Sequence, residues 1–538
     1  MLGNSGSSGE EGCAAMARST TGSLTGRKIA RRRFLKGAFA AGATLSFGGV
    51  LTEEATSQPR KGGRLRVAQP GGGASETLNV NHQKIEIDSM RTFVLFETLV
   101  GYAPNGKLFN KLVEEFSPSK DAAVWKVKLR SDVVFHNGKP LTADDVVYTF
   151  RYILDPANTA TGRPFFSTLF RPNDIRSLDR HTVEVRLLQP LAILPEAFSS
   201  QQYGVFPEGT KSWDPPIGTG PFKFKSWTPG ERSLFVRNDQ YRIHNGPYLD
   251  ELEIISINES GARFNALVGG QVDAVPRLTP ALVPAVKSNP QLALLEGPTG
   301  VHTDFYMACD LEPFRDNRVR EAFRLMIDRQ QMVQNALSGH GKIGNDLPTP
   351  FDADYASSIP QRPHDPDKAK ALLKAAGHEN LTVSLYTADA GPAMIESATL
   401  LVDQAKAAGV TIQLNKVPGD QYYNEDKFMK TPFQMDTWSF RLLSQAMADG
   451  YVSKAPFNEA HWYRPAFDQL VRQAEATLEP AKRRQLWFDV QKELWDQGGY
   501  IIWGFINNLD GVSAKLRGLK ESVTRPLGRY DFTDTYFA

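Results

Sequence analysis

The length of the chain constrains its fold more than any other feature of the sequence. Residues 61–538 contain no low-complexity tract and no short-period repeat. They exceed the roughly 250–300 residues at which a single hydrophobic core stops growing. Cys309 is the only cysteine in this stretch, so no disulfide bond within it can replace a core. We therefore expect at least two lobes.

Strand patterns recur along this stretch. In Trp125–Arg130, apolar Trp, Val and Leu alternate with Lys and Arg, which predicts a half-buried strand. Residues 183–187 and 410–414 have the same period of two. Tyr500–Ile506 is apolar at almost every position, so we predict one buried strand there.

Helix signals lie between these strands, which predicts a mixed α/β protein. Thr142 and Asp145 have the spacing of a capping box. Asp365 and Glu479 each precede a proline, an arrangement that is typical of a helix start. Apolar residues recur at helical spacing over residues 318–333, which predicts a long helix.

An export signal is predicted near the start of the sequence. Arg31–Lys36 has the sequence RRRFLK, an arginine pair, one spacer and Phe-Leu-Lys, which is typical of twin-arginine signals. The apolar stretch Ala38–Leu51 is shorter than the about 20 residues that span a bilayer. The alternative is a chance basic run before a membrane anchor. We predict that residues 1–60 are a signal peptide and linker, and that the twin-arginine translocase exports a soluble protein to the periplasm.

The charge balance excludes a nucleic-acid partner. The chain has 62 Lys and Arg against 60 Asp and Glu. Residues 1–60 contain 8 of the basic and 4 of the acidic residues. The rest of the chain therefore has 54 basic and 56 acidic residues, a net charge near −2. The basic excess therefore belongs to the predicted signal, and no basic footprint for nucleic acid remains.

Signatures of catalysis are absent from the sequence. It has no G-x-S-x-G, no H-E-x-x-H and no phosphate-binding P-loop. Gly339-x-Gly341-x-x-Gly344 matches a dinucleotide loop, but a helical pattern precedes it, so we interpret it as a helix stop and turn. The nine histidines are scattered singly, although residues distant in sequence could still meet in space. We expect no catalytic residue, no cofactor and no metal.

Six groups of motifs that contain glycine or aromatic residues follow one another along the chain. They are Trp125–Arg130 with Phe135–Val146, Pro216–Phe222, Arg237–Tyr241 with Pro247–Asp250, Pro313–Ala322 with Ile327–Arg329, Asp365–Leu373, and Gly518–Leu519. Together they resemble the signatures of the extracytoplasmic solute-binding proteins of the peptide/nickel type. These are the dipeptide- and oligopeptide-binding receptors of ABC importers. The motifs also have a structural role, since Gly138 and Pro140 would form a turn.

The resemblance implies an α/β, two-lobed periplasmic-binding fold of the large type with an extra inserted subdomain and two hinge strands. The implied ranges are 61–101, 211–304 and 505–538 for the first lobe, 102–210 for the inserted subdomain, 305–504 for the second lobe, and Thr303–Tyr306 and Trp503–Phe505 for the hinges. Closure about the hinges would trap a small-molecule solute and present the closed form to an ABC permease in the inner membrane. We expect a monomer.

The chain departs from its relatives at one candidate site residue. Peptide-binding members carry a Trp followed three residues later by an Asp that pairs with the α-amine of the peptide. Here Trp438 is present, but Arg441 stands at the Asp position. An arginine there would hold a carboxylate or phosphate instead. The alternative is that Arg441 points to solvent or pairs with Asp436 or Asp449.

Two further segments supply candidate ligand-binding residues. The first is a polar-aromatic segment whose side chains could line a pocket for a polar solute, namely Asn458, Glu459, His461 and Trp462. The alternative is that Trp462 is a core residue and Glu459 a helix cap. The second is Glu86, which aligns with the stretch that runs alongside bound peptide in relatives, mostly through backbone contacts.

Three functions remain open on the sequence. The first is a periplasmic receptor of an ABC importer for a small polar solute that bears an anion, such as a peptide, an opine-like conjugate or an oligosaccharide. The second is a secreted hydrolase that uses the cleft between the lobes. The third is a metal-chelate receptor, which the lack of a His-rich or Cys-rich segment disfavours.

Overall fold

The computed structural model describes residues 59–200, 203–243, 246–424 and 426–538, so the predicted export signal lies outside the described residues. The strands, numbered in chain order, are β1 (Arg64–Gln69), β2 (Val100–Tyr102), β3 (Leu108–Asn110), β4 (Val113–Pro118), β5 (Val124–Leu129), β6 (Ile175–Asp179), β7 (Thr182–Arg186), β8 (Phe222–Thr228), β9 (Arg232–Arg237), β10 (Glu251–Ser256), β11 (Ala274–Val275), β12 (Leu292–Gly297), β13 (His302–Met307), β14 (Gly341–Ile343), β15 (Thr382–Ala388), β16 (Thr411–Val417), β17 (Phe433–Trp438), β18 (Tyr500–Ile501), β19 (Gly504–Ile506), β20 (Asn508–Ser513), β21 (Leu516–Arg517) and β22 (Tyr536–Phe537). The helices are α1 (Glu86–Leu95), α2 (Ala143–Leu154), α3 (Arg163–Leu169), α4 (Leu194–Ala197), α5 (Ser260–Val268), α6 (Val283–Ser288), α7 (Asn317–Leu325), α8 (Arg329–Ala336), α9 (Pro366–Ala375), α10 (Met394–Ala407), α11 (Leu443–Ala446), α12 (Pro465–Ala476) and α13 (Pro480–Gln497).

A seven-stranded sheet in the order β12-β20-β11-β1-β10-β9-β8 forms what we call the first lobe. Strand β1 runs parallel to β10 and β11. Its apolar side chains Leu65 and Val67 are buried against Met90 of α1 and Ile254 of β10. The chain therefore leaves β1 and β11 at the same edge of this sheet.

An antiparallel four-stranded sheet in the order β4-β5-β7-β6 forms the inserted subdomain. Its apolar face packs under α2 and α3, and Trp125, Phe150 and Phe166 are buried in this core. The predicted alternation in β5 is confirmed, because Trp125, Val127 and Leu129 are buried while the lysines between them are exposed. This sheet lies between β1 and β8 in the sequence and has its own core.

A five-stranded sheet in the order β16-β15-β17-β13-β18 forms the second lobe. Strand β15 runs parallel to β16 and β17, and β17 is antiparallel to β13. Each face carries a hydrophobic core, one containing Phe323 and Leu385 and the other containing Tyr306 and Trp487. The mixed α/β architecture predicted from the sequence is confirmed.

The chain passes between the two large sheets twice, through residues 298–301 and through residues 502–507, which include β19. The two crossings are hydrogen-bonded to each other. The hydroxyl of Thr299 donates to the carbonyl oxygen of Ile506 at 2.6 Å, and the Ile506 N–H donates to the carbonyl oxygen of Val301 at 2.8 Å. The predicted hinge stretch Thr303–Tyr306 lies in β13 next to the first crossing, and the stretch Trp503–Phe505 lies within the second crossing.

Several predicted helix starts are confirmed. The Asp145 carboxylate accepts the N–H and the hydroxyl of Thr142 at 2.8 Å, and the two residues form the capping box of α2. Asp365 caps α9 by accepting from the Lys368 N–H at 2.9 Å. Glu479 accepts from two N–H groups in the first turn of α13. These short-range signals therefore placed the helices correctly.

Two element predictions are wrong. The predicted long helix over residues 318–333 is two helices, because Asp328 caps a new helix by accepting from the Gln331 N–H at 2.9 Å. Tyr500–Ile506 is not one strand but β18 and β19. Ile502 and Trp503 leave the sheet between them, and β19 pairs with β14 in a separate two-stranded sheet. In the described ranges, no helix is both long enough and apolar enough to cross a membrane.

Candidate ligand-binding site

The predicted site segments lie where parallel strands end. Glu86 begins α1 in the segment that follows β1, and Trp438 is the last residue of β17. Ligands of open α/β sheets bind outside the carboxyl ends of parallel strands. Gly300 of the first crossing lies beside Phe440, where a β-carbon would come within 3.0 Å of the ring. The second-lobe segment therefore lies next to a crossing between the lobes.

Arg441 pairs with Asp449 in the second lobe. Its Nε lies 2.7 Å from Asp449 Oδ2, and the Arg441 side chain is 24% exposed. The guanidinium carbon lies 4.5 Å from the centre of the Trp438 ring, a distance typical of a cation–π contact. This is one of the two alternatives that the sequence left open. Binding of a solute anion by Arg441 stays a prediction.

Three buried carboxyl groups lie behind Trp438. Its indole N–H donates to Glu459 at 3.2 Å, and the Tyr423 hydroxyl donates to Asp436 at 2.8 Å. Asp304 of β13 lies opposite Asp436 of β17 in the register of the sheet. Neither carboxyl oxygen of Asp304 has a hydrogen-bond partner among the described residues.

The environment of Asp304 and of Glu459 favours the neutral form of both groups. Burial, together with the neighbouring Asp436, raises the pKa of Asp304 and of Glu459 well above the usual range. Among the described residues, no basic side chain lies within ion-pair distance of the three carboxyl groups. Asp304 and Glu459 therefore hold their protons to a higher pH than exposed carboxyl groups do.

The polar-aromatic segment around residue 460 faces the interior of the second lobe. Trp462 is a buried core residue, as the alternative from the sequence proposed. Asn458 is buried as well, and it exchanges hydrogen bonds with the backbone of Trp462. His461 lies 2.6 Å from Asp310 and 2.8 Å from the carbonyl oxygen of Met429. Among the described helices, none is capped by Glu459, so that part of the alternative is wrong. Contact of Asn458, Glu459, His461 and Trp462 with a ligand stays a prediction.

Glu86 is the centre of an ion cluster in the first lobe. Arg525 lies 2.6 Å and Arg277 lies 3.6 Å from its Oε1, and the Tyr530 hydroxyl donates to the same oxygen. Burial works against the charged form, but the two arginines outweigh it and lower the pKa of Glu86 to about 2. Glu86 is therefore ionised at physiological pH and holds three distant segments together.

Sequence reasoning missed the partners of Glu86. Arg277 follows β11, and Arg525 lies in the C-terminal segment, more than 400 residues from Glu86. Neither arginine belongs to a motif with a recognised spacing, so no local signal could have paired them with a carboxylate. In the described part of the chain, no group of three His, Cys, Asp or Glu side chains has the geometry to hold a metal ion.

Comparison with known families identifies the class of protein. A family model described as “Bacterial extracellular solute-binding proteins, family 5 Middle” matches residues 107–456. The chain belongs to this family of bacterial extracellular solute-binding proteins. It is accordingly a substrate-binding receptor and not an enzyme.

Individual relatives extend the match beyond that range. The glutathione-binding protein GsiB of Pectobacterium atrosepticum is 24% identical over 445 residues, which cover 79% of this chain and 85% of that protein. The probable di/tripeptide-binding protein 5 of Pseudomonas aeruginosa is 24% identical over 515 residues, which cover 87% of this chain and 97% of that protein. The crystal structure of the ABC transporter substrate-binding protein CtaP of Listeria monocytogenes has a TM-score of 0.77 at 20% identity, and the match covers 89% of this chain and 100% of that one. This likeness confirms the predicted two-lobed fold.

Proposed function

We propose that this receptor captures a peptide, or a similar small polar solute that carries an anionic group, between its lobes. The observation that carries the proposal is the ion cluster at the edge of the first lobe. There Arg277 and Arg525 share the single carboxylate of Glu86. The Arg277 side chain is 55% exposed, so its guanidinium has N–H groups available to a solute carboxylate.

The names of the relatives support a peptide-like solute. GsiB is named a glutathione-binding protein, and the Pseudomonas relative is named a probable di/tripeptide-binding protein. Glutathione is itself a tripeptide with two carboxylates and one amine. A receptor that replaces the family's amine-binding aspartate with Arg441 would favour the carboxylates of such a solute over its amine.

The proposed mechanism is closure of the two lobes about the crossings at residues 298–301 and 502–507. Two adjacent chain segments that are hydrogen-bonded to each other can absorb a rotation while each sheet stays rigid. A solute that contacts both walls binds the closed form better and shifts the population toward it. The closed receptor would then deliver its solute to an ABC permease of the inner membrane.

We also propose that the receptor works as a monomer in the periplasm and that the twin-arginine translocase exports it. The proposed export route rests on the sequence of Arg31–Lys36. Replacement of Arg31 and Arg32 together by lysine should block export, and cell fractionation would detect the protein in the cytoplasm. Unchanged export of that variant would contradict this route.

Matched pairs of probes test the preference for an anion. Glutathione and trialanine are titrated into the exported form of the protein by calorimetry, each as the free acid and with every carboxyl group converted to the amide. We expect the acids to bind at least tenfold more tightly than the amides, and to raise the melting temperature, since a ligand of the folded state stabilises it. Equal binding of acid and amide would overturn the proposed preference.

A further inference from the structure

A cavity of about 250 Å³ lies beside the ion cluster of Glu86. Its walls come from the second half of α1, from the hairpin of β2 and β3, and from the C-terminal segment 518–534. Tyr102 of this hairpin meets Phe440 of the second lobe edge to face, with 5.7 Å between the ring centres. Since Phe440 precedes Arg441, the cavity adjoins the second-lobe segment that carries the candidate site.

The guanidinium of Arg529 lines this cavity between two aromatic rings. Its central carbon lies 4.2 Å from the centre of the Tyr102 ring and 5.0 Å from that of Phe93. A guanidinium held between rings is fixed in its plane, and its N–H groups point outward along that plane. Its one hydrogen bond to a described residue is a long one, 3.4 Å to the carbonyl oxygen of Ser199.

Arg529 also lacks an ion-pair partner among the described residues. Other charged groups of the cavity are already engaged. Lys111 lies 3.7 Å from Glu97, Lys520 lies 3.8 Å from Asp534, and the Asp531 carboxylate accepts the Thr533 N–H at 3.0 Å. Burial lowers the pKa of Arg529 to about 10, so the group is still charged at neutral pH.

The backbone around Arg529 adopts an unfavourable conformation. Four successive residues have positive φ angles, 47° at Leu527, 64° at Gly528, 64° at Arg529 and 60° at Tyr530. Only glycine adopts this left-handed region freely, so the other three residues are strained. Such strain persists only where the surroundings fix it, and it is concentrated at functional sites.

Both ends of this left-handed turn are held in place. The Leu527 N–H donates to the buried carboxyl group of Asp510 at 2.6 Å. At the other end, the Tyr530 hydroxyl donates to Glu86. The turn therefore presents Arg529 to the cavity in a fixed orientation.

We propose that Arg529 binds the carboxylate of the solute, and that the cavity holds the residue of a peptide-like solute which bears that carboxylate. The proposal rests on the proposed function, because it names the group that would give the receptor its preference for an anion. The phenyl ring of Phe93 and the phenol ring of Tyr102 flank the guanidinium. The bound carboxylate should therefore belong to a residue with a small or apolar side chain.

The test compares Arg529→Gln with the wild type, using glutathione and trialanine as acids and with every carboxyl group converted to the amide. We expect Arg529→Gln to weaken binding of the acids at least tenfold and binding of the amides less than twofold. Arg529→Lys keeps the charge but not the planar fork, so it should weaken binding of the acids by about fivefold. Arg232→Gln is the control, since Arg232 is an exposed arginine of the same lobe that pairs with Glu253. It should change neither the affinity for the acids nor the affinity for the amides.

The outcomes separate this inference from the proposed function. An Arg529→Gln protein that keeps the wild-type preference for acids would overturn the role of Arg529 and leave the proposed function standing. A wild type that binds acids and amides equally would contradict both. If Arg529→Gln does not fold, as judged by its melting curve, Arg529→Lys carries the test, and unchanged affinity of that variant for the acids would overturn the inference.

Discussion

The Nε atom of Arg441 lies 2.7 Å from Oδ2 of Asp449, while the guanidinium rests on the ring of Trp438. Arg441 thus has an acidic partner of its own, at the position where the resemblance in sequence leads us to expect an aspartate that pairs with a peptide amine. A solute carboxylate that reached Arg441 would compete with Asp449 for the same guanidinium. The role of Arg441 can therefore be tested from both sides of the pair.

Removal of either partner should change solute binding in opposite directions if Arg441 contacts the solute. Arg441→Ala should weaken the binding of glutathione by about 1.5–3 kcal/mol, the range for a hydrogen bond to a charged group. Asp449→Asn should strengthen that binding, because it frees the guanidinium. Titration calorimetry measures both effects. If both variants bind like the wild type, Arg441 is a structural residue whose partner is Asp449 alone.

The ion cluster of Glu86 should make stability depend on pH in the acid range. Its pKa is about 2 in the folded protein against an ordinary value of 4.5, so its contribution is complete above pH 4.5 and is lost as the pH falls through 2. The difference corresponds to about 3 kcal/mol. Glu86→Gln should therefore lower the free energy of unfolding by about that amount at pH 7 and by clearly less at pH 3.

Urea unfolding of the wild type and Glu86→Gln at both pH values measures this effect. Glu379→Gln is a matched control, since Glu379 pairs with Lys374 at the surface and its side chain is 59% exposed. Its effect on the free energy of unfolding should be small at either pH. An effect of Glu86→Gln that is the same at pH 3 and pH 7 would mean that the ionised carboxylate is not what stabilises the cluster.

Local signals in the sequence predicted the elements well where one segment determines its own structure. The cap of α2 depends on two residues that are three positions apart, Thr142 and Asp145, so it could be recognised from the sequence. The stretch Tyr500–Ile506 was misassigned, because an apolar pattern shows that a segment is buried but not which sheet it joins. Its second half pairs with Gly341–Ile343, a partner that only the folded chain reveals.

The candidate site was harder to predict, because its contacts are non-local. A resemblance could point to Trp438 and Arg441 through one motif. The sequence left a pairing of Arg441 with Asp436 or Asp449 open as an alternative, but it could not decide that Asp449 takes the guanidinium. No motif could indicate that Arg529 would lie between rings from two other segments, since a cation–π contact leaves no spacing in the sequence.

The capping box of α2 offers a direct test of a predicted and confirmed element. The Thr142 hydroxyl and N–H both contact Asp145 Oδ2 at 2.8 Å. Thr142→Ala removes the side-chain half of this cap and should lower the free energy of unfolding by about 1 kcal/mol. Thr142→Ser keeps the hydroxyl and should restore most of that loss in urea unfolding. Equal stability of all three proteins would show that the cap is redundant with the packing of α2.

Asp304 is fully buried beside Asp436 and Glu459. Three titratable groups near Asp304 are Tyr451, Tyr500 and Tyr423. Burial is the main cause that raises the pKa of each of these tyrosines. Because burial raises the pKa of Asp304, the folded protein keeps a proton there that the unfolded chain loses. The stability from this group is therefore complete below its ordinary pKa of 3.8 and is lost as the pH rises toward its raised value.

Asp304→Asn replaces this group by a neutral one of the same shape, so it removes that dependence on pH. The free energy of unfolding of the variant minus that of the wild type should rise by about 1.4 kcal/mol for each pH unit above 5, until the raised pKa of Asp304 is reached. Asp403→Asn, at an exposed position paired with Lys406, should give a flat difference over the same range. Urea unfolding between pH 5 and pH 8 measures both variants. A flat difference for Asp304→Asn would mean that Asp304 is ionised in the folded protein and compensated there.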